Sequence, residues 1–263
     1  MNNNTTTTSI SNEVKQQVSA DEWAMRVNLA AAYRLIATYG WDDLIYTHIS
    51  ARVPGTEDEF LINPFGLMFD EVTASSLIKI NGKGEKVMRT PYPVNPAGFT
   101  IHSAVHQVRH DAGCVIHLHT VHGTAVSTDP RGLLPLNQTA LLVRDDVAYH
   151  DFEGVAVDLD ERPRLQKDLG DKNIMLLRNH GTLALGATVA EAFMRIYFIE
   201  RACEMQVATL SSTGGTYYPT DENVQEKVAE QGRDEEMVKQ GANMLAWPAL
   251  LRRLDRIDSS YQD

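Results

Sequence analysis

Basic charge is scarce in this 263-residue chain: 24 Lys and Arg face 35 Asp and Glu, a formal net charge of −11. That argues against a nucleic-acid partner, because a phosphate backbone calls for clustered cationic side chains. Cysteine is scarcer still, with Cys114 inside an apolar run and Cys203 inside a helical pattern. Both read as small core residues rather than halves of a disulfide, which fits a reducing cytoplasmic setting. Long apolar runs are missing too. None approaches the ~20 residues that span a bilayer, and the opening "MNNNTTTTSISN" is polar where a secretory leader would be basic and then apolar. These absences predict a cytosolic protein that handles a small molecule, with no nucleic acid and no membrane.

What is present is alternation of two periods. Residues 1–17 read as a disordered tail. Ser19 with Glu22 then forms a capping box for a helix that Gly40 stops. "YTHISARV", "EFLIN" and "LIKI" read as strands, and "GFTIHSAVHQVRH" as a helix with His102, His106 and His110 four apart on one face. "AGCVIHLH" is a β-branched strand followed by a helix over "VHGTAVSTD". The stretch from Pro130 to Asp146 has no clear period, "VAVD" reads as a strand, and Pro163 opens a helix. "NIMLLRNHG" is a buried strand ending in a turn, and Gly186 closes another. Thr188 with Glu191 caps a long helix, and a charged helical tail follows "STGGT". Such a mixture, without repeats or linkers, predicts a single α/β domain.

Chemistry concentrates in "CVIHLHTVHG". Residues two apart on a strand share a side, so His117 and His119 can aim both imidazoles at one point. His180, at the end of its own apolar strand, is the natural third nitrogen donor for a zinc ion. His-x-His spacing also occurs among core and surface histidines without a metal. His122, on the following helix, reads as structural, and Arg178 and Asn179 could bind a carboxylate or orient His180.

The runs "HSAVHQVRHDAGCVIHLHTVHGTAVS", "MLLRNHGTLALGATVAEAF" and "LINPFGLMFDEVT" together resemble the class II aldolase/adducin family. The resemblance implies a three-layer α/β/α sandwich with a mostly antiparallel central sheet over residues 18–212, leaving 213–263 as a C-terminal helical extension. It also implies zinc on His117, His119 and His180, and a homotetramer with sites between subunits. Departures are equally specific. Gly98 stands where the aldolases carry an acidic ligand and proton carrier, and Phe65, Pro96 and Ala97 stand where they hold phosphate with hydroxyls. Phe65, Gly66 and Asn95 are therefore expected to bind substrate, with His48 and His102 as the catalytic side chains, although Phe65 and His102 also suit plain packing. The implied reaction is C–C bond cleavage or formation, retro-aldol or decarboxylation, through a metal-stabilised enolate of a small unphosphorylated carbonyl or hydroxy acid. Alternatives are Fe(II) or Mn in place of zinc, an Fe(II) oxygenase acting on an aromatic acid, and a non-catalytic scaffold module of adducin type.

Overall fold

The computed structural model describes residues 11–263. The first ten residues of the expected tail lie outside the described residues, and residues 11–17 are helical (α1) where disorder was expected. Both expected N-caps form, although the Glu22 carboxylate turns to Arg26 and Lys79 rather than back to Ser19, and the Glu191 carboxylate takes the Ala187 N–H. The Glu22 N–H donates to Ser19 Oγ at the start of α2 (Ala20–Tyr39), and the Glu191 N–H donates to Thr188 Oγ1 at the start of α7 (Val189–Thr213). Gly40 ends α2 at φ +67°.

Seven strands form one sheet: β1 (His48–Arg52), β2 (Glu59–Ile62), β3 (Ile78–Asn81), β4 (Cys114–Leu118), β5 (Val147–His150), β6 (Ile174–Leu177) and β7 (Gly181–Gly186). Their order is β3-β2-β1-β4-β7-β6-β5, and every pair is antiparallel except β5 with β6. Between the strands run α3 (Pro96–Val108), α4 (Val121–Thr128), α5 (Gln138–Val143) and α6 (Arg162–Leu169). After α7 come α8 (Glu222–Gly232), α9 (Glu235–Gln240), a π-helical segment (Gly241–Ala246) and α10 (Trp247–Ile257).

The period of two sorts each strand between two cores. Ile49, Ala51, Cys114, Ile116, Leu118, Ile174, Leu176 and Ala184 pack with α2 and α7 on one face. Trp247, Leu254 and Tyr261 join that core, so the C-terminal helices fold back onto it. Val115, Met175, Leu177, Leu183 and Leu185 face Ile101, Ala104 and Val105 of α3 and Leu165 and Leu169 of α6. The result is the expected three-layer α/β/α sandwich with a mostly antiparallel sheet. No helix among the described residues is long and apolar enough to cross a membrane.

Two further local expectations fail. "VAVD" (155–158) is irregular, with Val155 and Val157 exposed, and the edge strand is instead the preceding Val147–His150. Pairing decides this: residues 147–150 lie in register with Ile174–Leu177, while 155–158 find no partner strand. His110 does not continue the α3 face. The helix stops at Val108, where the Arg109 backbone leaves the helical region at φ −106°, ψ 81° while its guanidinium reaches the Lys172 carbonyl, Asn173 and Asp111, and His110 is left exposed in a turn.

Candidate metal centre and active site

Antiparallel pairing brings the start of β1, the end of β4, the start of β7 and the ends of β6 and β5 to one end of the sheet. The end of β2, and with it Phe65 and Gly66, reaches the same end. His48 pairs directly with His117 across β1 and β4. His119 follows β4 immediately, and Thr120 caps α4 behind it by accepting the Gly123 N–H. His180 sits in the turn between β6 and β7. Asn179 beside it adopts φ +56°, a left-handed conformation that Asn tolerates. Gly181 must be glycine here, since a Cβ would come 2.2 Å from the Leu118 carbonyl oxygen. The His-Gly pair thus lets β7 press against β4 while its histidine swings over the strand end.

The three histidines converge. One ring nitrogen from each of His117, His119 and His180 lies within 4.8 Å of the others. Nδ1 of His117 faces the Thr182 carbonyl at 3.0 Å, so it carries the proton and donates. Nδ1 of His119 faces the Asp43 carboxylate at 3.1 Å and donates likewise. With Nδ1 of both rings engaged, the two Nε2 atoms are the nitrogens left to face a common point. They approach to 2.9 Å. A cation held jointly by these nitrogens and His180 suits so close an approach. Burial, then the neighbouring histidines, pulls the His117 pKa well below 6.5, and burial lowers His180 to about 4. Converging imidazoles, two of them engaged on the outer nitrogen by a carbonyl and a carboxylate, are what a divalent ion requires, so the residues present fit one.

Behind this centre lies a carboxyl that sequence reasoning missed. Glu200 of α7, 2% exposed, accepts hydrogen bonds from the hydroxyls of Thr120 and Thr182. It thereby ties together the elements that carry all three histidines. Burial raises its pKa to about 7. Asp43 was missed as well, being one acidic residue in a loop 76 positions from its histidine.

Gly98, in the first turn of α3, packs directly on His48: a Cβ there would meet Cδ2 of His48 at 2.9 Å and Cγ at 3.1 Å. The imidazole therefore occupies the volume an acidic side chain at 98 would need. His48 is 1% exposed, its ring centroid 5.0 Å from that of His117. His102 stands behind it, bonded to His48 through Nε2 and to Ser50 through Nδ1. Asn95 caps α3 by accepting the Ala97 N–H on Oδ1. Phe65 is half-buried, its N–H donating to the Pro93 carbonyl, and Gly66 is exposed at φ +111°. Arg178 is structural: it donates to the Asp129 carbonyl at 2.8 Å and stacks on Tyr149. Phe152 is 54% exposed with its ring 6.3 Å from His180, an apolar wall the sequence had not singled out.

The fold and the triad define a class II aldolase-like protein. Residues 27–207 match the class II aldolase and adducin N-terminal domain, and the chain belongs to that family. A crystal structure of an aldolase II superfamily protein from Pseudomonas syringae superposes with a TM-score of 0.87 at 47% identity, covering 95% of this chain and 99% of that one. Mouse alpha-adducin is 51% identical over 197 residues, 74% of this chain but 27% of adducin. The L-fuculose 1-phosphate aldolase of Glaciozyma antarctica PI12 aligns with a TM-score of 0.80 at 27% identity, over 93% of this chain and 94% of that enzyme.

Proposed function

We propose that the protein is a metal-dependent lyase that breaks or forms a C–C bond in a small unphosphorylated carbonyl or hydroxy-acid substrate. The observation that carries this reading is the convergence of one ring nitrogen from each of His117, His119 and His180, with the Nε2 atoms of the first two facing each other. A divalent ion held by these three side chains, zinc by preference with Fe(II) or Mn as substitutes, supplies the positive charge that stabilises a developing substrate oxyanion. Asp43 and the Thr182 carbonyl keep two of the ligands in the correct tautomer. With no carboxylate at position 98, His48 moves the proton at Nε2, and His102 holds its ring in place from Nδ1. Phe65, Gly66 and Asn95 line the substrate side at the same end of the sheet, and Phe152 adds an apolar wall.

Phe65, Pro96 and Ala97 offer no side-chain donors to a phosphate. A dianion placed there would lose water without replacement, at a cost of several kcal/mol, or roughly a thousandfold in affinity. Calorimetric titration of zinc-loaded protein with paired phosphorylated and unphosphorylated hydroxyketones tests this. Tighter binding of the phosphorylated member refutes it. We place the protein in the cytoplasm as a homotetramer; a monomer at micromolar concentration in light scattering would count against the assembly.

A second reading, a non-catalytic module of adducin type, is favoured by Gly98 and by the higher identity to adducin than to the fuculose-phosphate enzyme. Deuterium exchange at the carbon next to the substrate carbonyl, followed by NMR on zinc-loaded protein, separates the two. Exchange supports the lyase, and its absence across a hydroxyketone panel supports the module.

A further inference from the structure

Three elements meet behind the histidine triad, and one carboxyl bonds to two of them from the third. Thr120, the residue after His119, caps α4 with a hydroxyl that accepts the Gly123 N–H at 2.9 Å and donates its own proton to Oε2 of Glu200 in α7. Thr182, in β7, donates its hydroxyl to Oε1 of the same carboxyl. That threonine also presents its carbonyl to Nδ1 of His117 at 3.0 Å. Thr124, one turn into α4, donates to the His180 carbonyl at 3.1 Å. Each histidine of the triad is thus one residue or one hydrogen bond away from the junction of α4, β7 and α7.

Only His117 lies within the strand ladder, paired with β1 on one side and β7 on the other. His119 comes after the last residue of β4, and His180 before the first residue of β7. Sheet pairing therefore leaves the spacing of the three ligands open, and something else must set it. The junction is packed tightly enough to do so. A Cβ on Gly123 would lie 2.6 Å from the Thr182 methyl, 2.7 Å from Thr120 Oγ1 and 3.0 Å from Oε1 of Glu200, so helix, strand and carboxyl are in direct contact. Thr120, Thr182 and Glu200 are 8%, 0% and 2% exposed. An apolar side chain at position 200 would fill this space at lower cost than an ionisable one. It could not hold two hydroxyls at the fixed separation of the two oxygens of one carboxyl.

We infer that Glu200 is a positioning residue for the metal centre: by fixing Thr120 relative to Thr182 it fixes His119 relative to His117, and so the fit of the triad to an ion. This role deepens the reading of the triad as a metal site and rests on it. Asp43 steadies the His119 ring from a half-buried loop position, whereas Glu200 sets where the backbone that carries the ring is held.

Zinc affinity of the full chain by chelator competition tests it, with the visible absorption of the Co(II)-loaded protein as a report on ligand geometry. Glu200→Leu is expected to weaken zinc roughly ten- to a hundredfold and to shift the Co(II) bands. Glu200→Gln keeps a polar atom for each hydroxyl and is expected to lie closer to the wild type than to Glu200→Leu. Thr182→Val removes one of the two links with an isosteric side chain, should also weaken zinc, and carries the test if Glu200→Leu does not fold. Cys203→Ala, a buried change one turn further along α7, is expected to lower thermal stability and leave zinc affinity unchanged. Wild-type affinity in folded Glu200→Leu overturns the inference, and where that variant does not fold, wild-type affinity in Thr182→Val does. A loss in Glu200→Gln as deep as that in Glu200→Leu also overturns it, since charge and not the two bonds would then matter, as does a matching loss in Cys203→Ala. A wild type that binds no zinc refutes the metal centre itself, a failure distinct from variants that bind as tightly as the parent.

Discussion

Gly98→Ala tests whether His48 and the first turn of α3 share one filled volume. The added methyl would lie 2.9 Å from Cδ2 and 3.1 Å from Cγ of the ring, against about 3.5–4.0 Å for relaxed carbon contacts. The ring cannot step aside cheaply, since it is 1% exposed and bonded to His102 at 2.8 Å. Overpacking of this kind costs about 1–3 kcal/mol, whereas exchanging glycine for alanine inside a helix recovers about 0.5–1 kcal/mol. A net loss of about 1–2 kcal/mol is expected in equilibrium urea unfolding. Removing the ring reverses the sign: in a His48→Ala background, Gly98→Ala should stabilise by about 0.5–1 kcal/mol. The cycle therefore carries a coupling of about 1–3 kcal/mol. If Gly98→Ala stabilises both backgrounds equally, the packing argument is wrong. Gly98→Asp should lose more than Gly98→Ala while His48 is present, so the acid found in the aldolases can return only where the imidazole is gone.

Three further outcomes follow from the site. His117→Ala and His180→Ala should each abolish binding of about one divalent ion per subunit while leaving the far-UV circular dichroism unchanged; full occupancy by plasma emission analysis in both variants would sink the metal centre. Acid should unfold the metal-free protein: folded-state pKa values of His48, His102, His106, His117 and His180 all lie below 6.5, so the unfolded chain takes up protons first as pH falls. Each histidine then removes about 1.4 kcal/mol per pH unit below 6.5 until its own folded pKa is reached. Glu200 opposes one of them, and a stability curve flat between pH 6.5 and 4.5 would contradict the buried neutral assignment. Glu200 has the reverse sign, its pKa being raised from 4.5 to about 7, so its contribution is lost as pH rises through 7. The stability difference between Glu200→Gln and the parent should shift in favour of Gln by about 1.4 kcal/mol from pH 6 to 8, and a pH-independent difference would show that the carboxyl ionises normally.

Much of this arrangement was legible in the sequence because it follows from local periods. The N-caps at Ser19 and Thr188 are three-residue signals, and the shared side of His117 and His119 needs only the strand period of two. The same rules put His48 with Ser50 and His102 with His106. That the two pairs meet depends on where α3 crosses β1, which no local pattern encodes. Asp43 and Glu200 gave no signal, since an isolated acidic residue in a loop or helix looks like solvated surface until tertiary packing buries it. "VAVD" and the preceding "VAYH" are alternating tetrapeptides eight positions apart, and only the neighbour β6 chooses between them.

The strand order also bears on how copies of the chain can assemble. Both outermost strands, β3 and β5, are four residues long. The outer side of β3 is already partly taken by its own returning turn, through the Ile80–Lys86 bridge and the bond from the Val87 N–H to the Lys79 carbonyl. Short, blunted edges give an incoming strand little template. Continuous intermolecular sheets, the usual seed of aggregation, are thereby disfavoured. The loop rim at the histidine end differs from these blunt edges: Leu44, Tyr46, Val121, Phe152, Val155 and Val157 are all more than half exposed there, so apolar surface stands beside the chemistry rather than along the strands.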